Sequence, residues 1–489
     1  MKILYKLSIC LLLSSFSLSC NKWIDVKPTD RLSENVLFAN KEGYLKALNG
    51  VYVEMTNQAL YGQEMTSGAL DVLAQYYFIN SSTHRYYEYT TFVYTADRPK
   101  ATFDGAWRKA YELIANCNVI LEKCGDNASE TLPEPYFGII KGETLALRAF
   151  LHLDMLRLFG PIYTESSKTK AVLPYISKNT FSVALLISSE QFMSNVTDDL
   201  KAAILLMETT DPIRTAGVRN AGNPSGNNDL YYRQYRLNYY AVRALLARAY
   251  LWQSKKAEAF SEAVGLLNEV QLPAKNVFPY VTNANATSAL KPDRVFSTEV
   301  MFSLYDINRD ELYKRLFDVN LLANAKLSFN GGDSNEGRVT NLYDDANDYR
   351  RRSWQILSSG TITALTNLKY QDIPDGPGRY MIPLIRLSEV LLIAAECSPD
   401  LSVGIGYFNK VRTARNALSK TPASDAALKI EISNEYRREM LGEGQQFFYY
   451  KRNSTLTVPN NAAVTGTKAM VLNNYVVPLP ESETSQRNN

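Results

Sequence analysis

Glu435, Glu439 and Glu443 stand four residues apart, a spacing that places carboxylates on one helix face and could pair them for acid–base work. Arg437 and Arg438 are interleaved with them, so the run reads instead as a structural ion-pair network. The same reading applies to Arg148, Arg157, Arg386, Glu389, Glu396, Arg412 and Arg415. Asp344, Asp345 and Asp348 offer hard oxygen ligands but lack the glycine and distal glutamate of a calcium-binding loop. No metal is expected there. Gly331-Gly332-Asp333 has no following Lys-Ser/Thr and reads as a turn. Two histidines, His84 and His152, are too few for a His-rich metal site and leave little for a Ser-His-Asp hydrolase. No catalytic residue and no cofactor is expected, and the chain is read as a non-enzyme.

The stretch that invites a ligand is aromatic. Tyr76, Tyr77, Phe78, Tyr86, Tyr87, Tyr89, Phe92 and Tyr94 are interleaved with Asn80, His84 and Arg85. A sugar ring lays its C–H face on an aromatic plane while its hydroxyls need amide, carboxylate or guanidinium partners. Tyr76, Tyr77, Asn80, Arg85 and Tyr86 are therefore candidate ligand contacts. The competing reading is a strand alternating Tyr87, Tyr89, Thr91 and Val93, whose rings cover the scaffold. Tyr305, Asp306, Arg309 and Trp354 are further candidates, Trp354 with a core-anchoring alternative.

The chain has 489 residues, 46% hydrophobic, with 53 Lys and Arg against 50 Asp and Glu. That balance fits a globular protein and lacks the basic footprint of a nucleic-acid binder. Lys2 and Lys6 precede an apolar run, Leu7 to Phe16, too short to span a bilayer. Residues 1–19 read as a signal peptide ending at Ser-Leu-Ser before Cys20, which resembles a lipoprotein box and makes Cys20 the expected lipidated first residue of a mature chain 20–489. Cys117, Cys124 and Cys397 are expected as free, mostly buried thiols.

After an extended leader, 21–37, apolar residues recur at helical spacing over 40–56, 104–124, 136–159, 189–207, 233–253, 256–270, 383–397, 404–418 and 427–449. Gly160-Pro161 stops the third of these. Small residues such as Ala241, Ala244 and Ala247 sit where paired helices would cross. The pattern predicts a mainly α, tetratricopeptide-like array in which each pair buries its apolar face on the next. Helical pairs are placed at 40–56, 104–124, 136–159, 189–207, 233–270 and 383–449. Irregular insertions at 61–103, 210–229 and 271–380 are expected to build the ligand face with loops and small strands.

Several runs carry a resemblance: Glu143 to Pro161 (ETLALRAFLHLDMLRLFGP), Ala106 to Asn118 (AWRKAYELIANCN), Ala244 to Leu251 (ALLARAYL), Ile385 to Glu396 (IRLSEVLLIAAE), Asn409 to Arg415 (NKVRTAR), Glu435 to Gly444 (EYRREMLGEG) and Pro478-Leu-Pro. In this order they resemble the SusD/RagB family of nutrient-binding outer-membrane lipoproteins. Gln446 and Tyr449 depart from it, standing where the family pattern has Arg and Asp, which puts local ion pairing in question.

The resemblance implies a SusD-like scaffold of four tetratricopeptide-like units. It also implies a lipid-anchored protein facing the cell exterior and a SusC-like TonB-dependent transporter barrel as partner. The ligand is expected to be an oligosaccharide or polysaccharide bound without chemistry. The alternatives are a peptide or other non-glycan nutrient, as in the RagB branch, and more distantly a glycan-cleaving enzyme, which would need an isolated carboxylate pair roughly 5–10 Å apart.

Overall fold

The protein is described from a computed structural model covering residues 34–180, 182–272, 275–329 and 336–487. The expected signal peptide, the expected lipidation site Cys20 and the Gly331-Gly332-Asp333 run, read above as a turn, lie outside the described residues. Eight helices follow one another in contact: α1 (Lys41–Met55), α2 (Asp97–Cys124), α3 (Tyr136–Phe159), α4 (Ser189–Met207), α5 (Tyr239–Trp252), α6 (Lys256–Val270), α7 (Leu387–Cys397) and α8 (Leu401–Ala414). In chain order they form four helix pairs, and each helix packs on its predecessor and its successor. The chain is a mainly α, tetratricopeptide-like array. Two more helices, α9 (Asp425–Glu439) and α10 (Gln446–Arg452), complete it.

Local chemistry sets the starts. Asn40, Ser188, Asn238, Asp400 and Ser424 each accept a backbone N–H of the helix they precede, satisfying donors that have no intrahelical partner. Helix α3 is buried on nearly every side, since α2 covers one flank and α4 the other. It ends at Gly160, and buried Lys451 of α10, whose pKa burial pushes well down, donates from Nζ to the Leu158 and Gly160 carbonyls at 3.1 and 2.6 Å, capping the helix end.

Buried His152 on α3 stacks on Tyr175 with ring centroids 3.9 Å apart. Its Nε2 accepts the Ile176 N–H at 3.0 Å, so the proton resides on Nδ1, which donates to the Arg148 carbonyl at 2.9 Å. Burial pushes its pKa down to about 3. A histidine titrating lower in the folded than in the unfolded chain contributes stability above its unfolded pKa, and that contribution is lost as pH falls toward the folded value. Urea unfolding at pH 7 and pH 4.5 should therefore show a loss on the order of 3 kcal/mol that a His152→Gln variant lacks. Equal pH dependence in the two proteins would disprove a buried neutral imidazole.

The insertion between α6 and α7 contributes three small sheets, the first a short pairing of Gln271–Leu272 with Lys275–Asn276. Strand β1 (Val300–Tyr305) pairs antiparallel with β4 (Met381–Arg386), Val300 opposite Arg386 and Tyr305 opposite Met381. Between them β2 (Trp354–Ser359) and β3 (Ile362–Asn367) form a hairpin turning at Gly360, whose φ of 58° suits glycine. A second hairpin, β5 (Thr457–Pro459) with β6 (Thr467–Ala469), follows α10.

Several local expectations change. Residues 383–386 are strand, not helix, because the apolar run beginning at Met381 finds a sheet partner in β1. The helix expected over 427–449 breaks after Glu439, where Gly442 and Gly444 take φ of 82° and 69°, so Glu443 does not share a helix face with Glu435 and Glu439. Tyr87–Thr90 is a helical turn, not an alternating strand. Glu34–Leu37 of the expected extended leader is a short helix. Helix α2 begins at Asp97, seven residues before the expected start, its first two turns burying only Pro99 and Phe103. Cys117, Cys124 and Cys397 are free and buried.

The glutamates join a buried charge network. Glu439 accepts from Arg415 Nε at 3.0 Å, from Arg350 at 2.8 Å and from Arg386. Glu299 takes Arg415 at 2.7 Å, and Glu443 takes Arg386 at 2.9 Å and Lys369 at 2.5 Å. Glu435 meets Arg350, Arg412 and Arg438. Apart from Arg438 on α9 itself, these guanidiniums come from the end of α8, the end of β4, and the Tyr349–Ser353 turn. The network thus fastens the helical array to the insertion that carries the sheets. Arg148–Asp199 and Arg452–Glu396 likewise join helices. Asp344 is taken by Arg412, Lys420 and Arg438, and Asp345 accepts the Leu418 N–H.

Candidate functional site

The segment Tyr231–Arg236 runs from the 210–229 loop into α5, and its side chains divide by role. Arg233 turns inward to Asp211 at 2.7 Å and to Glu143 on α3. Gln234 donates to the Val300 carbonyl at 2.6 Å. Asn238 caps α5 with its oxygen and gives its amide to the Met301 carbonyl at 2.7 Å. All three are buried. With these anchors fixed against α3 and β1, Tyr231, Tyr232, Tyr235 and Arg236 line the surface.

Tyr305, the last residue of β1, meets them there. It is 50% exposed and stands edge-on to Tyr235 with centroids 5.4 Å apart, while Tyr380 lies 5.2 Å away on its other side. Tyr232 is 38% exposed and holds a left-handed φ of 57°, a conformation uncommon for a bulky residue and one that clusters at ligand clamps. The loop behind it is close: a Cβ on Gly222 would fall 2.6 Å from the Tyr232 hydroxyl.

Tyr235 separates two cavities. One, about 670 Å³, lies among α1, the Tyr231–Arg236 segment and Tyr305. The other, about 870 Å³, runs past Thr298, Lys275 and Gly378. Together they make a groove with aromatic walls, within the size range of small-molecule sites. Arg236 lies over the Tyr52 ring at 4.6 Å and donates to Asn49. Its Nη1, and Thr298 Oγ1 in the second cavity, have no partner among the described residues.

Asp229 is the single carboxylate in the groove lining among the described residues. Burial works against its charge, but hydrogen bonds from Asn227, Lys41 and Tyr136 outweigh this and hold it below the usual carboxylate range. Burial, reinforced by Tyr305, pushes the Tyr235 phenol up to about 12. The groove thus offers neutral hydroxyls, amides and ring faces at physiological pH.

Of the residues singled out by sequence, Tyr305 alone lines this groove. Asp306 and Arg309 stand behind it. The Asp306 N–H donates to the Tyr380 carbonyl at 2.9 Å, and Arg309 Nη1 donates to the Gly378 and Met381 carbonyls at 2.7 and 3.1 Å, so both hold the turn that presents Tyr380. Burial pushes the Arg309 guanidinium down to about 10. Trp354 is buried against Phe329, centroids 3.8 Å apart.

The rings of Tyr76, Tyr77, Tyr86 and Tyr89 fold inward instead of forming an exposed ligand face, although Tyr76 also lines a separate cavity. Tyr76, Tyr77 and Tyr86 are buried, with hydroxyls donating to the Arg437 carbonyl, Asp71 and Glu64. Each polar tip is satisfied inside, so these rings belong to the core. Arg85 donates to the Arg315 carbonyl, and Asn80 is exposed. Sequence reasoning passed over Tyr231, Tyr232 and Tyr235. The signal lies in the run Tyr231-Tyr-Arg-Gln-Tyr-Arg236 beside a Gly/Asn-rich loop, of which the helical spacing over 233–253 claims only Arg233 to Arg236.

Comparison with known proteins bears on this arrangement. A family model described as the SusD family matches residues 274–488, and one described as "Starch-binding associating with outer membrane" matches residues 22–213. No curated protein matches the chain. Among solved structures, a SusD superfamily protein of Bacteroides thetaiotaomicron superposes with a TM-score of 0.68 at 19% identity, covering 91% of this chain and 98% of that one. A SusD-like carbohydrate binding protein of Bacteroides vulgatus gives 0.69 at 19% identity over 92% and 97%. The surface glycan-binding protein A of B. thetaiotaomicron gives 0.63 at 15% identity over 92% and 98%. At these identities the likeness establishes the fold.

Proposed function

Because the chain belongs to the SusD family, we propose that it is a cell-surface lipoprotein that binds an oligosaccharide in the Tyr232–Tyr235–Tyr305 groove and passes it to a SusC-like TonB-dependent barrel. The observation that carries this reading is the pair of exposed tyrosine rings, Tyr232 and Tyr305, flanking a cavity whose other polar groups are amides, hydroxyls, a guanidinium and the Asp229 carboxylate. Sugar rings stack on the tyrosines, and their hydroxyls take the Arg236 and Thr298 groups that lack protein partners.

Binding proceeds without chemistry. Glycoside hydrolysis needs two carboxylates across the scissile bond, and the one carboxylate of the lining is already committed to Lys41, Tyr136 and Asn227. Titration of the protein with a panel of oligosaccharides and peptides is the test. Saturable glycan binding without turnover supports the reading; peptide binding with no glycan hit would replace it with a peptide carrier, and turnover with an enzyme.

No described helix is long and apolar enough to cross a membrane, and attachment is assigned to lipid on Cys20, two or more acyl chains giving a stable anchor. Cys20→Ser should move the protein from the membrane fraction to the soluble fraction on cell fractionation. A variant that stays with the membrane would end the anchor assignment. Co-purification of a barrel protein with the wild type from detergent-solubilised outer membranes tests the partner.

A further inference from the structure

A third cavity, about 390 Å³, opens beside the β5–β6 hairpin and shares no lining residue with the groove. Tyr76 and Tyr450 are its buried floor, and threonine hydroxyls from the hairpin, Thr457, Thr465 and Thr467, stand at its exposed rim. Two guanidiniums line it, Arg338 and Arg437, and no described lining residue is a carboxylate.

Most buried arginines of this molecule meet carboxylates, Arg309, which donates to the Gly378 and Met381 carbonyls, being an exception. Arg148, Arg233, Arg350, Arg386 and Arg415 are buried and all meet carboxylates. Arg338, equally buried, donates only to neutral carbonyls: Nε to Ala463 at 3.0 Å, Nη1 to Tyr76 at 2.8 Å, and Nη2 to Ala463 at 2.6 Å and to Asn460. Arg437 lies 5.7 Å over the Tyr76 ring, and its Nε is buried without a partner among the described residues. Tyr76 couples the two, its hydroxyl donating to the Arg437 carbonyl at 2.7 Å and its own carbonyl accepting from Arg338. Burial, and secondarily the nearby Arg437 charge, push Arg338 down to about 9.

Two like charges beside a cavity with no counter-charge among the described lining residues leave a desolvation cost that an anion would offset. A guanidinium fork matches a planar carboxylate, and a ring of hydroxyls matches a polyol. We infer that this cavity is an acidic-sugar site, in which Arg437 donates to the carboxylate of a hexuronate and the hairpin threonines meet its ring hydroxyls.

Calorimetric titration of the full-length protein with galacturonate, galactose and inorganic sulfate tests it. Galacturonate should bind saturably and galactose should not. Arg437→Gln, a change at a partly exposed residue, should weaken galacturonate at least about tenfold with the melting temperature unchanged. Absence of galacturonate binding, or binding that survives Arg437→Gln, would overturn the site. Sulfate binding as tightly as galacturonate would overturn the sugar assignment.

Discussion

Glu439→Ala should lower the unfolding free energy by about 3–5 kcal/mol, the cost of removing one partner from a buried charge pair, and thus a large share of a stability that for a domain is on the order of 5–15 kcal/mol. Glu439 is fully buried, and its two oxygens serve Arg350, Arg386 and Arg415. Although burial disfavours its charge, those three guanidiniums hold its carboxyl well below the usual range. Removing it leaves Arg386 with Glu443 and Arg415 with Glu299, and the cluster carries an extra positive charge out of reach of water. Glu439→Gln keeps the shape and should cost nearly as much, which separates charge from packing. By contrast Glu481→Ala, breaking an exposed pair with Lys100, should leave the urea midpoint in place. Because the network is buried, added salt should not rescue Glu439→Ala. A loss below about 1 kcal/mol, the ordinary effect of a substitution, would mean that the arginines find other acceptors and that this network does not join the array to its insertion.

Tyr305→Ala should weaken glycan binding roughly 10- to 150-fold, the equivalent of about 1.5–3 kcal/mol for the face of one aromatic ring. Half of that ring faces solvent, so its removal should shift the melting temperature little. Tyr305→Phe keeps the face and loses the hydroxyl; near-parental affinity in this variant would assign the energy to stacking. Tyr232→Ala should act in the same direction, while Tyr77→Phe, at a buried residue outside the groove lining, should leave affinity alone. Affinity indifferent to both Tyr305→Ala and Tyr232→Ala would remove the groove as the ligand site whatever glycan the protein binds.

The amino-acid sequence by itself determined the helical array, because apolar residues at helical spacing, capping residues such as Asn238 and the stop at Gly160-Pro161 act within a few residues of one another. It also determined that Glu435, Glu439 and the helix arginines pair, since opposite charges this abundant in apolar stretches must neutralise each other. The SusD family membership was carried by ordered runs spread along the chain, which no folding is needed to see. Tertiary structure alone decided which tyrosines face solvent. Tyr77 and Tyr305 are the same chemical group in equally irregular stretches, yet Tyr77 is buried with its hydroxyl on Asp71 whereas Tyr305 ends a strand at the surface. Burial depends on what the rest of the chain places against a ring, and those partners, Asp71 and Phe317 for one, Tyr235 and Tyr380 for the other, meet only when β1 pairs with β4 and the insertions close over the helices. A sequence records the aromatic residue; the exposed face belongs to the packing.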